Sequence, residues 1–484
     1  MAFKIPRLEP RKVLALTSII GGLAMSANAW ALPSFARQTG WSCATCHTSF
    51  PQLTPMGRIF KLMGYTTTNL QPQQKVEAKV GNVVHLLLPR ISQFSIFVQA
   101  SDTHVAGSQQ ALGAPARTAK GGQPVGTNNN LEVPQQVSLF YAGEVTPHVG
   151  DFLHITYNGQ SGTFAFDDSS IVRTQAWKLG LHNTLITGVD VNNTPSATDL
   201  WNTSPDWQAP FFTSNYTAEG AVPTTFIGSS PGAAFPLIGL GAYAADIVGP
   251  NRANWFYAEA DAYNNSQGTG NAPNGGIFSE NGGNQMGAFG QLAGTAPYLR
   301  LAYQHDWSDW NWEVGTYDMW SRVYANPTSS AVDRFYDYDL DSQLQWLDIN
   351  DNDNVTVRAN LIHEDANFAA SAVNTSVTHG QLNTFNLNAT YWYHDEYGAQ
   401  GGFQDVTGTA NNAFWGGNLV SSLYSANGSP NTTDEWVEAS YLPWWNTRLS
   451  VRYTMFNKFR GLTGNNGVSP SKFNTIELLA WIAY

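Results

Sequence analysis

Apolar and polar residues alternate along most of this chain, from about residue 82 to the C-terminus. The alternation is clearest in four stretches, at 93–100, 136–145, 384–394 and 448–455. Because successive side chains of a β-strand point to opposite faces, this period of two predicts strands with one apolar and one polar face. Such strands are typical of membrane-spanning barrels, in which the apolar face meets lipid and the polar face lines the lumen. A secreted β-sandwich or solenoid is the alternative.

The connections between the predicted strands alternate strictly between long and short. Short turns are predicted at 147–151, 180–183, 248–253, 306–310, 348–354, 395–397 and 443–446. Long segments rich in Gly, Asn, Ser and Thr are predicted at 106–134, 159–169, 192–235, 264–296, 324–332, 366–381, 407–432 and 458–473. Fifteen connections join sixteen strands, and outer-membrane barrels have an even strand number, short periplasmic turns and long outer loops. The sequence therefore predicts an all-β fold, a 16-stranded antiparallel transmembrane β-barrel over residues 76–484.

The C-terminus and the tryptophans agree with this fold. Residues 473–484 carry an apolar residue at every second position back from the terminal Tyr484, which resembles the last strand of bacterial outer-membrane barrels. Aromatic girdles mark the two membrane interfaces of such barrels. Seven tryptophans near predicted strand ends are assigned to these girdles, namely Trp307, Trp310, Trp312, Trp320, Trp436, Trp444 and Trp445.

The first 29 residues are predicted to be a cleaved signal peptide. A basic segment precedes the apolar stretch 13–25, and the small residues Ala27 and Ala29 follow it at a cleavage site. Removing the peptide changes the formal net charge from −12 to about −15. No basic patch indicates a nucleic-acid partner. The expected location is the bacterial outer membrane, with lipid around the barrel and the long loops at the cell surface.

Charged residues make up only 12% of the chain, and amides and hydroxyls supply most of its polar surface. Aspartate and glutamate mostly protonate below about pH 3, whereas amides and hydroxyls do not titrate there. The composition therefore predicts a protein adapted to acid.

Residues Cys43-Ala44-Thr45-Cys46-His47 form a Cys-x-x-Cys-His motif that contains both cysteines of the chain. In c-type haem attachment the two thiols bond to the haem vinyl groups and the histidine ligates the iron. We therefore predict one covalently bound c-type haem, with His47 as the proximal axial ligand. A thioredoxin-like redox pair would need a βαβ context, a structural zinc site would need four ligands, and a plain disulfide would leave His47 unexplained.

Residues 30–75 are predicted to form a small, partly helical module around this motif. A short helix is expected after it, with Thr54 as the N-cap, Pro55 at the first helical position and Gly64 just past the end. At this size the module has too small a core to be stable alone. It is therefore expected to lie in or against the barrel lumen.

The sixth ligand of the haem iron has several candidates. Met56, Phe60 and Met63 follow one another at helical spacing, so the predicted helix places them on one face. A distal methionine raises the potential of a haem, which makes Met56 and Met63 candidate distal ligands. The alternative is that both methionines only pack against the porphyrin. His154 and His394, at polar positions of predicted strands, are further candidates.

Two acidic clusters suggest cation binding without establishing it. Asp333, Asp337, Asp339 and Asp341 stand on one face of a predicted strand, and the turn at 348–353 resembles a calcium loop without its central glycine. An ordinary polar barrel wall explains the strand cluster equally well, and a solvated acidic turn is the favoured interpretation of the second cluster. The only metal ligand predicted is therefore His47, for the haem iron.

Three segments carry a family resemblance: residues 32–40 (LPSFARQTG), the Cys43–His47 motif, and 57–61 (GRIFK) with Gly64 and Tyr65. They resemble the outer-membrane cytochrome–porin fusions of iron-oxidising bacteria. The resemblance implies an Fe(II) oxidoreductase that passes electrons from extracellular Fe(II) through one haem to a periplasmic acceptor. That acceptor would be a blue copper protein or a soluble c-type cytochrome.

Two other functions fit the same features. One is an outer-membrane cytochrome that serves a different donor or reduces metals. The other is a solute porin whose haem-containing module acts as a plug.

Overall fold

The computed structural model describes residues 33–66, 93–107, 128–159, 162–207, 210–214, 216–217, 222–229, 237–265, 292–324, 331–348, 350, 352–368, 377–411, 428–463 and 469–484, and the backbone of 75–80 and 83–89. The predicted signal peptide lies outside these residues. Among the helices in this part of the chain, none is long and apolar enough to cross a membrane.

The N-terminal part of the molecule is a short helical segment, named here the lumen module (residues 33–66). Its elements are α1 Pro33–Thr39, α2 Cys43–Cys46, β1 His47–Ser49, β2 Gln52–Leu53 and α3 Pro55–Leu62. A separate two-stranded sheet follows, formed by β3 Lys75–Val80 and β4 Val83–Pro89. This hairpin is not part of the barrel strand order, so the barrel sheet begins at Phe94.

A closed antiparallel barrel forms the rest of the fold. Its strand segments are β5 Phe94–Val105, β6 Asn129–Thr146, β7 Val149–Asn158, β8 Thr163–Phe166, β9 Ser170–Lys178, β10 Thr184–Asn192, β11 Leu237–Val248, β12 Asn254–Asn265, β13 Ala296–Trp307, β14 Trp310–Tyr324, β15 Val332–Asp348, β16 Asp353–Asn367, β17 His379–Tyr393, β18 Tyr397–Gly408, β19 Thr432–Trp444, β20 Thr447–Lys458 and β21 Thr475–Ala483. The last strand pairs with the first, with Ala480 opposite Ala100.

The barrel has sixteen strands, as predicted. Both β8 and β9 pair with β7, so together they make one interrupted strand. The connection predicted at 159–169 therefore contains the short strand β8. The loop was predicted there because Gly, Asp and Ser interrupt the period of two.

The two faces of the barrel wall differ as the alternation predicted. On β20, Val451 is 51% exposed, whereas its neighbour Arg452 is 1% exposed. The outer surface carries many exposed apolar side chains, among them Leu131, Val133, Leu240, Leu301 and Leu340. Because the sheet closes on itself, its backbone groups are paired between strands and the apolar face suits lipid. The molecule is thus a transmembrane β-barrel.

Long and short connections lie at opposite ends of the barrel. The strands are joined at one end by short turns at 147–148, 179–183, 249–253, 308–309, 349–352, 394–396 and 445–446. We name this end, where β21 also finishes, the short-turn rim, and the opposite end the long-loop rim. Trp307, Trp310, Trp312 and Trp444 are exposed at the short-turn rim, in agreement with a girdle.

Trp436 was wrongly assigned to the girdle. It is only 4% exposed because its position in β19 points inward, where its ring lies 5.5 Å from the guanidinium carbon of Arg452.

A second segment, named here the plug loop (the described residues 193–207, 210–214, 216–217 and 222–229), folds into the lumen between β10 and β11. It contains the 3₁₀ turns Pro195–Thr198, Pro205–Trp207 and Ile227–Ser229. Its backbone amides donate to wall carboxylates across the barrel: Ser214 to Glu477, Phe226 to Glu364 and Ile227 to Asp337, each at 2.6 Å. Trp201 of this loop is 1% exposed. The lumen module and the plug loop therefore occupy the lumen together.

This filled lumen predicts low ion conductance. In planar bilayers we expect the intact protein to conduct far less than an open 16-stranded porin. Replacing residues 196–228 with a short Gly/Ser linker should raise the conductance, because it removes side chains that cross the lumen. Porin-like conductance of the intact protein, unchanged in the linker variant, would contradict the filled lumen.

Candidate functional site

The Cys-x-x-Cys-His motif lies at the short-turn rim, on one helical turn followed by extended backbone. Cys43 and Cys46 are the ends of α2, and His47 opens β1 with φ −126° and ψ 139°. The turn is closed by a hydrogen bond from Thr45 N to Ser42 O of 3.1 Å. Cys43 is buried and Cys46 is half-buried. The chain therefore presents two thiols and an imidazole from neighbouring backbone positions.

Thr54 joins this turn to helix α3. Its amide donates to Cys46 O at 2.9 Å, and its hydroxyl donates to Thr45 O at 2.7 Å. The same hydroxyl accepts from Gly57 N at 3.1 Å, which caps the helix. The predicted N-cap at Thr54, Pro55 at the first position and Gly64 after the end, with φ +60°, are all confirmed.

Gly57 lets α3 pack directly on the motif. A Cβ atom at this position would lie 2.2 Å from Cys46 O, far inside van der Waals contact. Only glycine therefore permits this close approach without moving the motif.

Arg58 fixes α3 to the barrel wall. Its guanidinium donates to Gln304 Oε1 at 3.0 Å and Asn311 Oδ1 at 2.9 Å, and also to Gln345 Oε1. The residue is 0% exposed. A buried charge left without partners costs about 3–5 kcal/mol, so these amide oxygens from β13, β14 and β15 specify where the helix docks.

A cavity of about 830 Å³ opens beside the motif. Cys43, Cys46 and His47 lie in its wall. Most of the rest of its lining is apolar or aromatic and comes from the lumen module, the wall and the plug loop: Phe35, Trp41, Phe50, Pro51, Leu53, Phe60, Tyr65, Phe152, Ala197 and Trp207. Ligand pockets usually have mostly apolar linings. The cavity is therefore suited to a large, flat, mainly apolar group.

Burial tunes the ionisable groups of the motif. It lowers the pKa of His47 to about 4 against the opposing effect of backbone hydrogen bonds with Gln52 and Pro51, so the imidazole is neutral at neutral pH, the form that ligates metals. His47 Nδ1 is buried, and none of the described residues forms a hydrogen bond with it. Burial, together with the neighbouring Cys43, raises the pKa of the Cys46 thiol to about 12.

Lys61 places a positive charge in the cavity wall. Its ammonium donates to Asp199 O at 2.6 Å and lies 5.6 Å from the ring centroid of Trp207. Burial lowers the pKa of Lys61, and the carboxylate of Asp199 opposes that shift. A fixed cation in an apolar wall favours an anionic group of a ligand at this point.

The methionines predicted as distal ligands do not reach the cavity. Met63 is buried in a cluster with Leu62, Val172 and Trp201, and half-buried Met56 is not part of the lining either. Gly57, Phe60 and Lys61 form the cavity face of α3, so that face is rotated by about one residue from the predicted one. The contacts of Arg58 and Gly57 set the position of the helix. The spacing of apolar residues gives no information about these contacts.

The candidate histidines also lie outside the cavity lining. His154 points inward from β7 and stacks on Phe140, with ring centroids 4.2 Å apart. His394 lies in the turn after β17, where its side chain is 47% exposed and Nδ1 is 3.5 Å from Asp353 Oδ1. It is thus in a turn rather than on the wall face predicted for it.

The acidic strand lines the lumen, as an ordinary polar wall would. Asp333, Asp337, Asp339 and Asp341 are each at most 6% exposed. Asp341 forms an ion pair with Arg300 at 2.6 Å, and Asp337 accepts from the plug loop. These carboxylates therefore form contacts within the barrel wall and with the plug loop.

Sequence reasoning missed the contribution of the plug loop. Ala197, Asn202 and Trp207 line the cavity, and Trp201 Nε1 donates to Gln304 Oε1 at 2.7 Å, the same oxygen that Arg58 uses. The available signal was the length of this segment together with its two tryptophans, since long loops with aromatic residues are often functional.

No family model matches this chain, and no curated protein matches it. Solved structures with a similar fold include OmpT, an outer membrane protein of Vibrio cholerae, at 9% identity over 81% of this chain and 96% of that chain, with a TM-score of 0.41. They include the outer membrane channel DcaP of Acinetobacter baumannii, at 9% identity over 81% and 96%, with a TM-score of 0.39. An anion-selective porin from Comamonas acidovorans has 8% identity over 81% and 98%, with a TM-score of 0.42.

The plug loop predicts a pH dependence of stability. Burial raises the pKa of Asp206, which accepts a hydrogen bond from Ser196, to about 7. Between about pH 4 and about pH 7 the folded state therefore binds more protons than the unfolded state, and stability falls as pH rises. We expect the melting temperature to increase as pH falls through this range.

The Asp206→Asn variant tests the source of that effect. It removes the titrating group with little change in shape, so the melting temperature should vary less between the two pH values. An equally steep dependence in both proteins would show that Asp206 does not contribute.

Proposed function

We propose that this barrel is an outer-membrane electron-transfer protein that oxidises extracellular Fe(II). One c-type haem would be bound covalently by Cys43 and Cys46, with His47 as an axial ligand, and a periplasmic protein would accept the electron. The observation that carries the proposal is the position of the motif, whose thiols and imidazole stand in the wall of an aromatic cavity inside the barrel.

The residues present fit such a group. The two thiols lie three residues apart on one helical turn, and the adjacent His47 imidazole is neutral at neutral pH. The cavity has the mostly apolar lining that is typical of ligand pockets. Its aromatic side chains could pack against the faces of a porphyrin, and the ammonium group of Lys61 could pair with a haem propionate.

The chain's own residues would hold and shield the cofactor. Cys43 and Cys46 would anchor it, while Phe35, Phe60 and Phe152 would exclude water from its faces. When bound, the haem supplies a one-electron couple that turns ferrous as Fe(II) becomes Fe(III). Burial in an apolar pocket is one of the protein's means of raising the potential of that couple.

The position of the cavity supports an electron exit at the short-turn rim. Gly40 and Ser42 are exposed there, and Ser42 and Trp41 also border the cavity. Short turns face the periplasm in outer-membrane barrels. A blue copper protein or a soluble c-type cytochrome would therefore find the cavity edge on its own side of the membrane.

A solute porin with a haem-containing plug is the second candidate, because the barrel has sixteen strands like many porins. The occupied lumen argues against it. An outer-membrane cytochrome for another donor, or one that reduces metals, would use the same cavity.

Anaerobic addition of Fe(II) to purified holoprotein separates these functions. We expect the visible haem bands to change from the oxidised to the reduced form, with about one electron taken up per chain. A Cys46→Ser variant should lose one of the two covalent bonds to haem. Haem that stays oxidised with excess Fe(II), but is reduced by dithionite, would contradict iron oxidation while leaving the cofactor in place.

Gly57→Ala should impair haem attachment. The added methyl group would collide with Cys46 O, so α3 and the motif would have to separate. We expect less covalent haem per folded barrel, measured by haem absorbance relative to protein. The matched control is Met56→Leu, one position away, which should retain haem and its spectrum because Met56 does not line the cavity. Equal haem content in both variants would show that the close contact is dispensable.

A further inference from the structure

Three carboxylates meet in the lumen wall outside the cavity. Asp190 lies on β10, and Glu259 and Asp261 lie on β12. One oxygen from each lies within 4.8 Å of the others, and the three residues are 1%, 4% and 5% exposed. Asp190 and Asp261 stand opposite the same residue, Gly241 of the intervening strand β11. The barrel register thus sets them side by side.

Each carboxylate has one oxygen held by a neutral donor. Asn192 Nδ2 donates to Asp190 Oδ2 at 2.6 Å, Tyr257 OH donates to Glu259 Oε2 at 2.9 Å, and Tyr263 OH donates to Asp261 Oδ2 at 2.9 Å. Asp190 Oδ1 and Asp261 Oδ1 are buried and accept a hydrogen bond from none of the residues that the structure describes. The Glu259 carboxyl group also forms hydrogen bonds with Thr198 and with Asp261. Oriented carboxylates with free oxygens are the arrangement that second-shell donors produce at metal sites.

Gly241 provides the space into which two of the free oxygens point. A Cβ atom there would lie 1.7 Å from Asp261 Oδ1 and 2.7 Å from Asp190 Oδ1. A larger residue would therefore push the carboxylates apart. The glycine allows these oxygens to converge over the backbone of β11.

Buried carboxylates that share a site repel one another unless protons or a cation neutralise them. Burying a charge without a compensating partner has a large free-energy cost, and this cost is larger still for three adjacent charges. Oxygen-only ligand sets suit hard divalent cations. A divalent cation at this point would neutralise the carboxylates with the oxygen ligands that it prefers.

We propose that Asp190, Glu259 and Asp261 bind a divalent cation in the lumen. That this cation is the Fe(II) donor rests on the proposed function; the binding site itself does not.

The site is connected through Tyr257 to the large cavity beside the Cys43–His47 motif. This tyrosine donates to Glu259 and also lines a small cavity of about 270 Å³ together with Lys61 and Tyr65. Lys61 and Tyr65 line the large cavity in turn. A cation at the three carboxylates would therefore be separated from the large cavity by Tyr257, the small cavity, and the side chains of Lys61 and Tyr65. That position is suitable for an Fe(II) ion that donates its electron to the haem.

Mn(II) titration of the holoprotein, followed by electron paramagnetic resonance of the free ion near neutral pH, tests the site without any redox reaction. We expect wild type to remove about one Mn(II) per chain from solution. The double variant Asp190→Asn/Asp261→Asn should bind at least about tenfold more weakly, a loss that even outer-shell changes cause at metal sites. The matched control is Asp405→Asn on β18, across the barrel, which removes one carboxylate and should bind as wild type.

Gly241→Ala keeps every charge and should also weaken Mn(II) binding, because its methyl group occupies the space of the two oxygens. Each variant is first shown to be a folded barrel by its resistance to unfolding in detergent. Mn(II) binding in the double variant equal to that in the control would overturn the site.

Fe(II) oxidation distinguishes the site from the function. If Mn(II) binds wild type as expected but Fe(II) leaves the haem oxidised, the proposed function fails and the cation site stands. If Fe(II) reduces the haem equally fast in the double variant and the control, the cation site is not the donor site.

Discussion

The constraint on which this structure depends is that a closed sheet in lipid has only one place for its polar side chains, the lumen. Sixteen strands enclose more space than wall side chains fill, and many of the inward groups are charged. The buried guanidinium of Arg58 shows how the chain resolves this, since amide oxygens from three neighbouring strands surround it. The lumen module and the plug loop use the polar lumen as a docking surface, and the apolar cavity forms between them.

Most of the fold follows from short-range patterns. The period of two and the alternation of long and short connections predict all sixteen strands. They can do so because the local sequence determines the two faces of each strand and the length of each turn. The start and end of α3 follow similarly from Thr54, Pro55 and Gly64. In the candidate site, the thiols and His47 are identified by spacing alone. The haem they predict stays a prediction.

What the sequence does not reveal depends on closure of the barrel. The plug loop has the composition of any long loop, and its contacts with wall residues, such as the amide hydrogen bonds to Glu477, Glu364 and Asp337, place it inside. The rotation of α3 that turns Met56 and Met63 from the cavity is set by Arg58, whose partners on the barrel wall are more than 240 residues away in the chain. Asp190 and Asp261 likewise become neighbours only through strand register.

The most direct test of the account is the chemical state of Cys43 and Cys46 in barrel purified from the outer membrane. Mass spectrometry of the folded protein and of its proteolytic peptides locates any covalent haem, and an alkylating reagent applied after unfolding reports free thiols. The account predicts one haem on the peptide that contains residues 43–47, with neither cysteine alkylated. A chain without haem, in which both cysteines react with the reagent, would contradict it.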